Sequence, residues 1–470
     1  MPPTILKVIN EYRPKGGCVV QQVKEPMRIT FTRKQMMRLV GPLVVEQFLA
    51  ITVGMVDTMM VSYAGEAAIS GVSLVDMLVV LLVNIFSALA TGGAVVISQY
   101  LGAKQKDLAK KGAEQLFAMA AIAGIGVMLL TLAFSSQILT GLFGSIEPDV
   151  MEAALLYFRI SALSFPFVAL YNAGAALFRS LGNSKISMRV SVLMNGINVA
   201  GNALCVFGLH MGVAGVALPS LVGRIVAALV IMWRAADLSN PICVRPKNCF
   251  KIQKNMALRI LNIGVPSAFE NSLFQLGRVL VVSIIAAFGT VQISANAVAN
   301  NLDSIGCIPG QAIGLSMITV VGQCIGAQDR TAAIHYTKKL LGMAYLIDGT
   351  INILVVIGMP VLLGFYNISP ETYQLAWLLV AIHGLFAVLL WPASFILPNA
   401  LRAANDVRFT MLVSIASMIV WRLGLSYILG LRMGMGAIGV WIAMLVDWVC
   451  RSSFFAVRFA SGKWKTKYQA

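Results

Sequence analysis

Residues 41–65 read GPLVVEQFLAITVGMVDTMMVSYAG, and residues 265–289 repeat their outline as VPSAFENSLFQLGRVLVVSIIAAFG. Each stretch has a proline at its second position, a glutamate four residues later and a glycine at its end. Apolar side chains fill most of the other positions, so each stretch can cross a bilayer as one helix, which needs about 20 residues. The pair predicts a chain that is built of two similar halves.

The repeat extends well beyond this stretch. The sequence QYLGA at residues 99–103 recurs as QCIGA at residues 323–327, again 224 residues later. With a slightly smaller offset, GLHMG at residues 208–212 recurs as GLRMG at residues 430–434. Two like halves in one apolar chain, with a pathway between them, are typical of many membrane transporters.

The composition places the whole chain in a membrane. Hydrophobic residues make up 58% of the 470 residues and charged residues only 12%, and the mean hydropathy is +0.82. Soluble proteins have about 25% charged residues. Long apolar blocks, rather than short alternating strands, exclude a β-barrel. We therefore predict an all-α polytopic membrane protein with twelve transmembrane helices in two pseudo-symmetric six-helix bundles. The predicted helices cover residues 36–63, 73–101, 112–143, 152–180, 188–208, 213–234, 257–288, 294–326, 338–366, 373–403, 410–429 and 436–458.

The positive charges lie on one side of these predicted helices. Of the 36 lysines and arginines, 31 fall in the two tails and in alternate connections, while the opposite connections contain only Arg432. This distribution predicts a plasma or inner membrane protein with both termini in the cytoplasm. It also favours contact with anionic lipid headgroups. The net charge of +17 does not indicate nucleic-acid binding, because no basic stripe with interleaved aromatics lies on a soluble module.

The same pattern divides the chain into five parts. We expect a cytoplasmic tail over residues 1–35, a first half over 36–234, a linker over 235–256, a second half over 257–458 and a C-terminal tail over 459–470. Each half crosses six times, so the repeats are parallel. The first 34 residues lack the apolar segment of a signal peptide. The seven cysteines do not have the spacing of a disulfide framework or a zinc site.

Four polar residues are predicted to meet near the outer surface. Asp57, Asn202 and Ser220 lie on predicted helices 1, 5 and 6, six to eight residues from outer turns, which places them about 9–12 Å deep. Asn198 shares a helix face with Asn202. One carboxylate, two amides and a hydroxyl suit a desolvated Na⁺, or a relay around one protonated aspartate. Interhelical hydrogen bonding without an ion is the alternative.

Four further acids are candidates for the substrate cavity or for a second coupling site. Charged groups cost at least about 2.5 kcal/mol in a bilayer centre, so each one needs a reason to be there. Glu46 and Glu270 are repeat counterparts, and either can face a cavity and attract a cation or carry a proton. A structural pair of Glu270 with Arg278 is the alternative for the second. Asp76 and Asp303 lie on corresponding helices.

Two other acids are expected to have structural roles. Asp348 and Asp447 are predicted to pair locally or to lie near the interface, and Asp447 has Arg451 four residues later on the same helix. Neither is counted among the candidate site residues.

These residues resemble the multidrug and toxic compound extrusion (MATE) family. The motifs that carry the resemblance are GP at 41–42 with Glu46, VDTMMV at 56–61, QYLGA at 99–103, FRSLGN at 178–183, and Pro266 with Glu270. The resemblance covers about residues 36–458. It implies two six-helix bundles around a V-shaped cavity, alternating access, and exchange of a drug or metabolite for Na⁺ or H⁺.

The resemblance also implies site residues. The family's cation site maps onto Asp57, Asn198, Asn202 and Ser220, where some members have an aspartate in place of Asn202. Other members pair a glutamate at the position of Glu270 with an aspartate on the tenth helix. That helix, residues 373–403, contains no acid here, and His383 is its only titratable residue besides tyrosine and Arg402. No metal beyond Na⁺ and no organic cofactor is expected.

The sequence therefore predicts a monomeric exporter of small amphipathic, cationic organic molecules, driven by Na⁺ or H⁺. A lipid-linked oligosaccharide flippase of the same superfamily is the alternative, because Arg224, Arg278 and Arg422 within the helices would suit a pyrophosphate. A membrane enzyme is predicted against, since it would need clustered histidines or acids and the chain has only three histidines, far apart in sequence.

Overall fold

The structure is a computed structural model that describes residues 29–63, 65–144, 147–249, 251–366 and 368–467. Almost all of these residues are helical. In chain order the α-helices are α1 Arg33–Ser62, α2 Glu66–Gly102, α3 Lys106–Phe143, α4 Pro148–Leu163, α5 Phe165–Ser180, α6 Ser184–Ala203, α7 Ala214–Ala235, α8 Pro246–Cys249, α9 Lys254–Ala286, α10 Thr290–Gly326, α11 Arg330–Gly364, α12 Pro370–Trp391, α13 Leu397–Ala403, α14 Val407–Ser417 and α15 Gly436–Ala460.

These helices form the predicted membrane spans. Among the described residues, eleven helical segments are long and apolar enough to cross a bilayer, or twelve when α4 and α5 count as one bent span. The all-α polytopic fold predicted from the sequence is confirmed.

Four of the predicted helices contain a bend or a π-helical turn in the structure. The span expected over 152–180 bends by 45° between α4 and α5, where Pro166 follows the break at Ser164. The span expected over 373–403 contains a π-helical turn, Pro392–Ile396, between α12 and α13. Further π-helical turns follow α6 at Leu204–Gly208 and α14 at Met418–Gly424. Proline explains the first two breaks, because it removes a backbone donor and crowds the preceding turn.

The two halves start their second spans in the same way. Gly65 and Gly289, repeat counterparts, precede α2 and α10 with φ of 104° and 92°. Residues with a side chain rarely adopt this backbone conformation, so glycine fits both turns. The repeated glycine therefore marks an equivalent turn before the second span of each half.

Buried apolar side chains form two large clusters, one centred on each half. The first cluster also includes Met256 and Ile260 from the start of α9. The second also includes Met36 and Leu39 from the start of α1. Because α1 and α9 each begin packed against the opposite half, a movement between the halves must involve these two helices.

The two halves contact each other at the C-terminal ends of α2 and α10, on the side of the basic connections. A Cβ added to Gly102 would lie 1.9 Å from the Gln323 carbonyl oxygen, and one added to Gly326 would lie 1.8 Å from that of Gln99. Gln99 Nε2 donates to the carbonyl of Ala403 at 2.9 Å. The repeated Gln-x-x-Gly-Ala motif therefore forms a close contact between the two halves.

Candidate cation and substrate sites

The structure brings the four predicted cation-site residues together. Asp57 projects from α1, Asn198 and Asn202 from one face of α6, and Ser220 from α7. Asn202 Nδ2 donates to Asp57 Oδ1 at 2.7 Å and lies 3.3 Å from Asn198 Oδ1. Asn198 Nδ2 donates to Ser220 Oγ at 2.6 Å. Three helices are thus joined by one polar chain.

One oxygen atom in this hydrogen-bonded cluster, Asn202 Oδ1, accepts no hydrogen bond from the described residues. Asn202 is fully buried, and its Oδ1 receives no hydrogen bond from any described residue. Leaving a buried acceptor unsatisfied costs about 1–3 kcal/mol. A carboxylate beside an unsatisfied amide oxygen is a suitable environment for a hard cation, which prefers oxygen ligands. The donor set therefore fits Na⁺, and the carboxylate alone can accept a proton.

A second acid lies beside the first. Asp76 on α2 accepts a hydrogen bond from the Tyr157 hydroxyl at 2.9 Å. Asp57, Asp76 and Tyr157 line one small cavity of about 20 Å³, which is sufficient for a water molecule or a bare ion. The sequence made Asp76 a candidate for the substrate cavity or for a second coupling site, and the structure places it next to Asp57.

Glu46 is enclosed by hydrogen-bond donors. Tyr171 OH donates to its carboxylate at 3.2 Å and Ser187 Oγ at 2.9 Å. Arg179 Nη1 lies 3.8 Å from the same group. The side chain is buried and does not line the central cavity described below. These contacts are those of a structural carboxylate that ties α1 to α5 and α6.

Glu270 has a different partner from the expected one. Arg402 Nη2 lies 2.7 Å from its carboxylate, and Ser414 Oγ donates to it at 2.5 Å. The suggested pair with Arg278 is wrong, because that residue is two turns further along the same helix while Arg402 approaches from α13. Arg179 and Arg402 are repeat counterparts, so each half pairs its glutamate with an arginine at the equivalent position.

Two more acids, the partly buried Asp303 and the buried Asp447, have partners from other helices. His383 Nδ1 lies within hydrogen-bond distance of Asp303 Oδ1, and its ring packs edge-on against Trp448 at 4.8 Å. Asp447 accepts a hydrogen bond from Ser417 Oγ at 2.5 Å and lies 3.8 Å from Arg422 Nη1. The ion-pair partner of Asp447 is therefore Arg422 of another helix, and Arg451 acts on the same carboxylate from beyond 4 Å.

A large central cavity lies between the halves. Its volume is about 500 Å³, within the usual range for small-molecule sites. The first half contributes only Gln47, Asn84 and Ser87 to its walls. The second half provides the remaining lining residues, among them Glu270 and Asp303. The second half therefore supplies most of the cavity wall, and α1 and α2 supply one side.

A family model, MatE, matches the chain twice, over residues 42–204 and 266–428. The chain belongs to the MATE family. The two matches are equally long and begin at the repeated prolines, which confirms that the halves are copies of one unit.

Relatives of this MATE transporter extend over nearly its whole length. It is 29% identical to an uncharacterized transporter, YisQ, of Bacillus subtilis (strain 168), over 95% of this chain and 98% of the relative. It is 25% identical to a probable multidrug resistance protein, NorM, of Thermotoga maritima, over 93% and 94% of the two chains. An outward-facing structure of a multidrug resistance MATE family transporter of the MOP superfamily superposes with a TM-score of 0.85 at 18% identity, covering 91% and 96%.

Several residues of the MATE sites were missed from the sequence. Tyr157 was not singled out, although a polar hydroxyl within an apolar span is a signal that the sequence contains. Arg402 and Arg451 were counted with the cytoplasmic charges, but both line the central cavity. Their positions near helix ends gave no sign of this.

Proposed function

We propose that this MATE transporter exports small organic molecules in exchange for Na⁺ or H⁺. The observation that carries the proposal is the partly buried carboxylate of Asp57 beside the unsatisfied Oδ1 of the fully buried Asn202. The names of the relatives, which include multidrug resistance proteins, support export of small organic molecules. The flippase alternative gains no support over an exporter.

The proposed cation ligands are Asp57, Asn198, Asn202 and Ser220, with Asp76 as a second carboxylate nearby. A Na⁺ would take the carboxylate and amide oxygens, while a proton would bind Asp57 and weaken its interaction with Asn202. Either event changes the charge next to α1. Asp57 would then act through that helix, since α1 begins against the second half and ends beside α6.

Transport requires that cation and substrate favour different arrangements of the halves. We propose that residues 36–234 and 257–458 move as two bodies, with the tails and the linker on the cytoplasmic side. The close contact at Gly102 and Gly326 would close the cytoplasmic entrance in the state described here. Opening it would present the central cavity to the cytoplasm.

The substrate's charge needs separate consideration. Glu46, Glu270 and Asp303 were expected to attract a cationic molecule, but their carboxylates contact Arg179, Arg402 and His383 respectively. Glu46 and Glu270 are therefore each held by an arginine, and Asp303 is held by a histidine. The proposal therefore rests on cation coupling and not on a cationic substrate.

The test is efflux from proteoliposomes with an imposed Na⁺ or H⁺ gradient. Asp57→Asn should abolish gradient-driven efflux, because the amide cannot take a proton and holds Na⁺ weakly. The control is Asp237→Asn, which removes an exposed linker carboxylate and should leave efflux unchanged. Wild-type efflux by the Asp57 variant would refute the assignment, and the ion whose gradient drives the native protein identifies the coupling ion.

A further inference from the structure

The walls of the central cavity carry more arginine than acid. Four arginines, Arg278, Arg402, Arg422 and Arg451, face two acids, Glu270 and Asp303. The carboxylate of Glu270 lies 2.7 Å from Arg402, and that of Asp303 contacts the ring of His383.

Two more acids lie behind the wall. Asp447 lies 3.8 Å from Arg422, and buried Asp348 lies close to Gly310 of α10. Neither lines the cavity. Among the side chains that line the cavity, arginines therefore outnumber carboxylates.

Arg451 is the most informative of the four. It is 3% exposed, and its Nε and Nη1 atoms have no hydrogen-bond partner among the described residues. Its guanidinium lies 4.6 Å from the ring centre of Phe395 and 5.4 Å from that of Phe274. The carboxylates of Asp447 and Glu270 act on this guanidinium from beyond ion-pair distance. Aromatic faces compensate a buried cation only partly, and a buried charge without a close partner is costly.

A second arginine converges on the same place. The Arg422 guanidinium lies 5.8 Å from the ring centre of Phe274, and its Nε atom also lacks a partner within the described part of the chain. Arg278 is exposed along the same wall, and no carboxylate of the described ranges lies within 4 Å of it. Like charges that meet around one ring repel each other, and an anion between them would remove that repulsion.

The remaining lining is suited to an apolar body. Trp391 stacks on Phe395 at 5.2 Å, and Trp448 meets Phe395 edge-on at 5.9 Å. Together with Phe274 they form an aromatic wall beside the guanidinium groups. Arginine binds carboxylate, sulfonate and phosphate oxygens through paired N–H groups, so it is well suited to such an acidic group.

We propose that the central cavity binds an amphipathic organic anion, whose acidic group lies between Arg451, Arg422 and Arg278 and whose apolar part lies against the aromatic wall. This inference deepens the proposed function, on which it rests, by naming the class of molecule exported. A cationic molecule is disfavoured because it would meet three arginines.

The experiment measures binding by calorimetry in phosphatidylcholine nanodiscs, without any gradient. The probes are 2-naphthoate, its neutral amide and 2-naphthylmethylammonium, which share one ring system and differ in charge. We expect 2-naphthoate to bind at least tenfold more tightly than the other two. Equal or tighter binding of the ammonium probe, or no binding of 2-naphthoate, would overturn the proposal.

Variants locate the site. Arg451→Gln should weaken 2-naphthoate binding at least tenfold and change the binding of the amide by less than twofold. The matched control is Arg432→Gln, in an exposed turn, which should change neither. Unchanged 2-naphthoate binding by both Arg451→Gln and Arg422→Gln would also refute the site, and a melting curve confirms that each variant is folded.

Two further measurements separate the possible sources of the anion and the two proposals. Nanodiscs that contain phosphatidylglycerol test whether an anionic lipid headgroup occupies the site. If 2-naphthoate binds the native protein there as weakly as it binds Arg451→Gln, the lipid is the occupant and the proposal of a soluble substrate is overturned. Asp57→Asn should retain 2-naphthoate binding. If 2-naphthoate binds but efflux does not depend on an ion gradient, the proposed cation coupling is overturned. If efflux depends on the gradient but 2-naphthoate does not bind, the proposed anion site is overturned.

Discussion

The two halves of the chain share one fold but differ in the charged side chains that line their cavities. In the first half, a small cavity is lined by the carboxylates of Asp57 and Asp76. In the second half, the large cavity is lined by arginines, three of which have no acid of the cavity wall as partner. At the offset of 224 residues, Asp57 corresponds to Val281, which packs with Ile285 and Val440 in a small apolar cluster.

The features that the halves share are those that hold the scaffold. The pairs Glu46 with Arg179 and Glu270 with Arg402 occupy equivalent positions. The features that differ lie at the cavities, such as Arg278, which corresponds to Gly54. The comparison teaches that the two halves retain equivalent structural ion pairs while their cavity linings differ, one suited to a cation and the other to an anion in the proposed roles.

The largest effect is expected at the shared ion pair. Glu270→Gln leaves Arg402 buried without a counter-charge, which typically costs about 3–5 kcal/mol. Thermal unfolding in detergent should show a large fall in melting temperature. The double variant Glu270→Gln with Arg402→Met should recover much of it, since no unpaired charge remains.

The equivalent change in the first half provides the matched control. Glu46→Gln should cost less, because Arg179 is 3.8 Å away and two hydroxyls remain as neutral partners. An equal loss of melting temperature at both glutamates would show that the two pairs contribute alike and would contradict this difference.

The next effect tests whether the cation site can be copied into the second half. Val281→Asp puts a carboxylate at the counterpart of Asp57, but among apolar neighbours without amides. We expect a loss of about 2.5–3.5 kcal/mol and no added Na⁺ response. Val281→Thr, of similar size, should lose less. Melting curves with and without Na⁺ measure both, and Na⁺-dependent stabilisation of the aspartate variant would break the comparison.

A smaller effect is expected where the halves are alike and touch. Gly102→Ala or Gly326→Ala places a methyl group on a backbone carbonyl of the opposite half, so the closed contact must loosen. If the methyl group destabilises the state with the closed contact by about 1.4 kcal/mol, the population of that state relative to the open state falls tenfold. Efflux should fall by about this factor in both variants. Gly126→Ala, with open space around it, is the control; an equal fall there would indicate a general effect on helices.

The smallest effect concerns Tyr157. Tyr157→Phe removes the hydrogen bond to Asp76, worth about 1 kcal/mol, and should change the apparent affinity for the coupling ion about fivefold. Tyr171→Phe removes the equivalent type of bond to Glu46 and should lower the melting temperature slightly without changing that affinity. The ion concentration that gives half-maximal efflux distinguishes them. The reverse result would assign the coupling role to Glu46.

The sequence by itself determined the spans, the duplication and the grouping of Asp57 with Asn198, Asn202 and Ser220. Apolar length defines a span, and a fixed rise per residue converts a position along a helix into a depth in the membrane. Polar side chains at one depth then become neighbours once the helices form a bundle.

Only the tertiary structure decided which side chains meet across helices. Depth does not give the direction in which a side chain points or the identity of the adjacent helix, because packing fixes both. Arg402 beside Glu270, Asp76 beside Asp57 and Arg451 at the cavity wall are results of that packing. The bend at Ser164 and the π-helical turns also redirect helices in ways that apolar patterns do not encode.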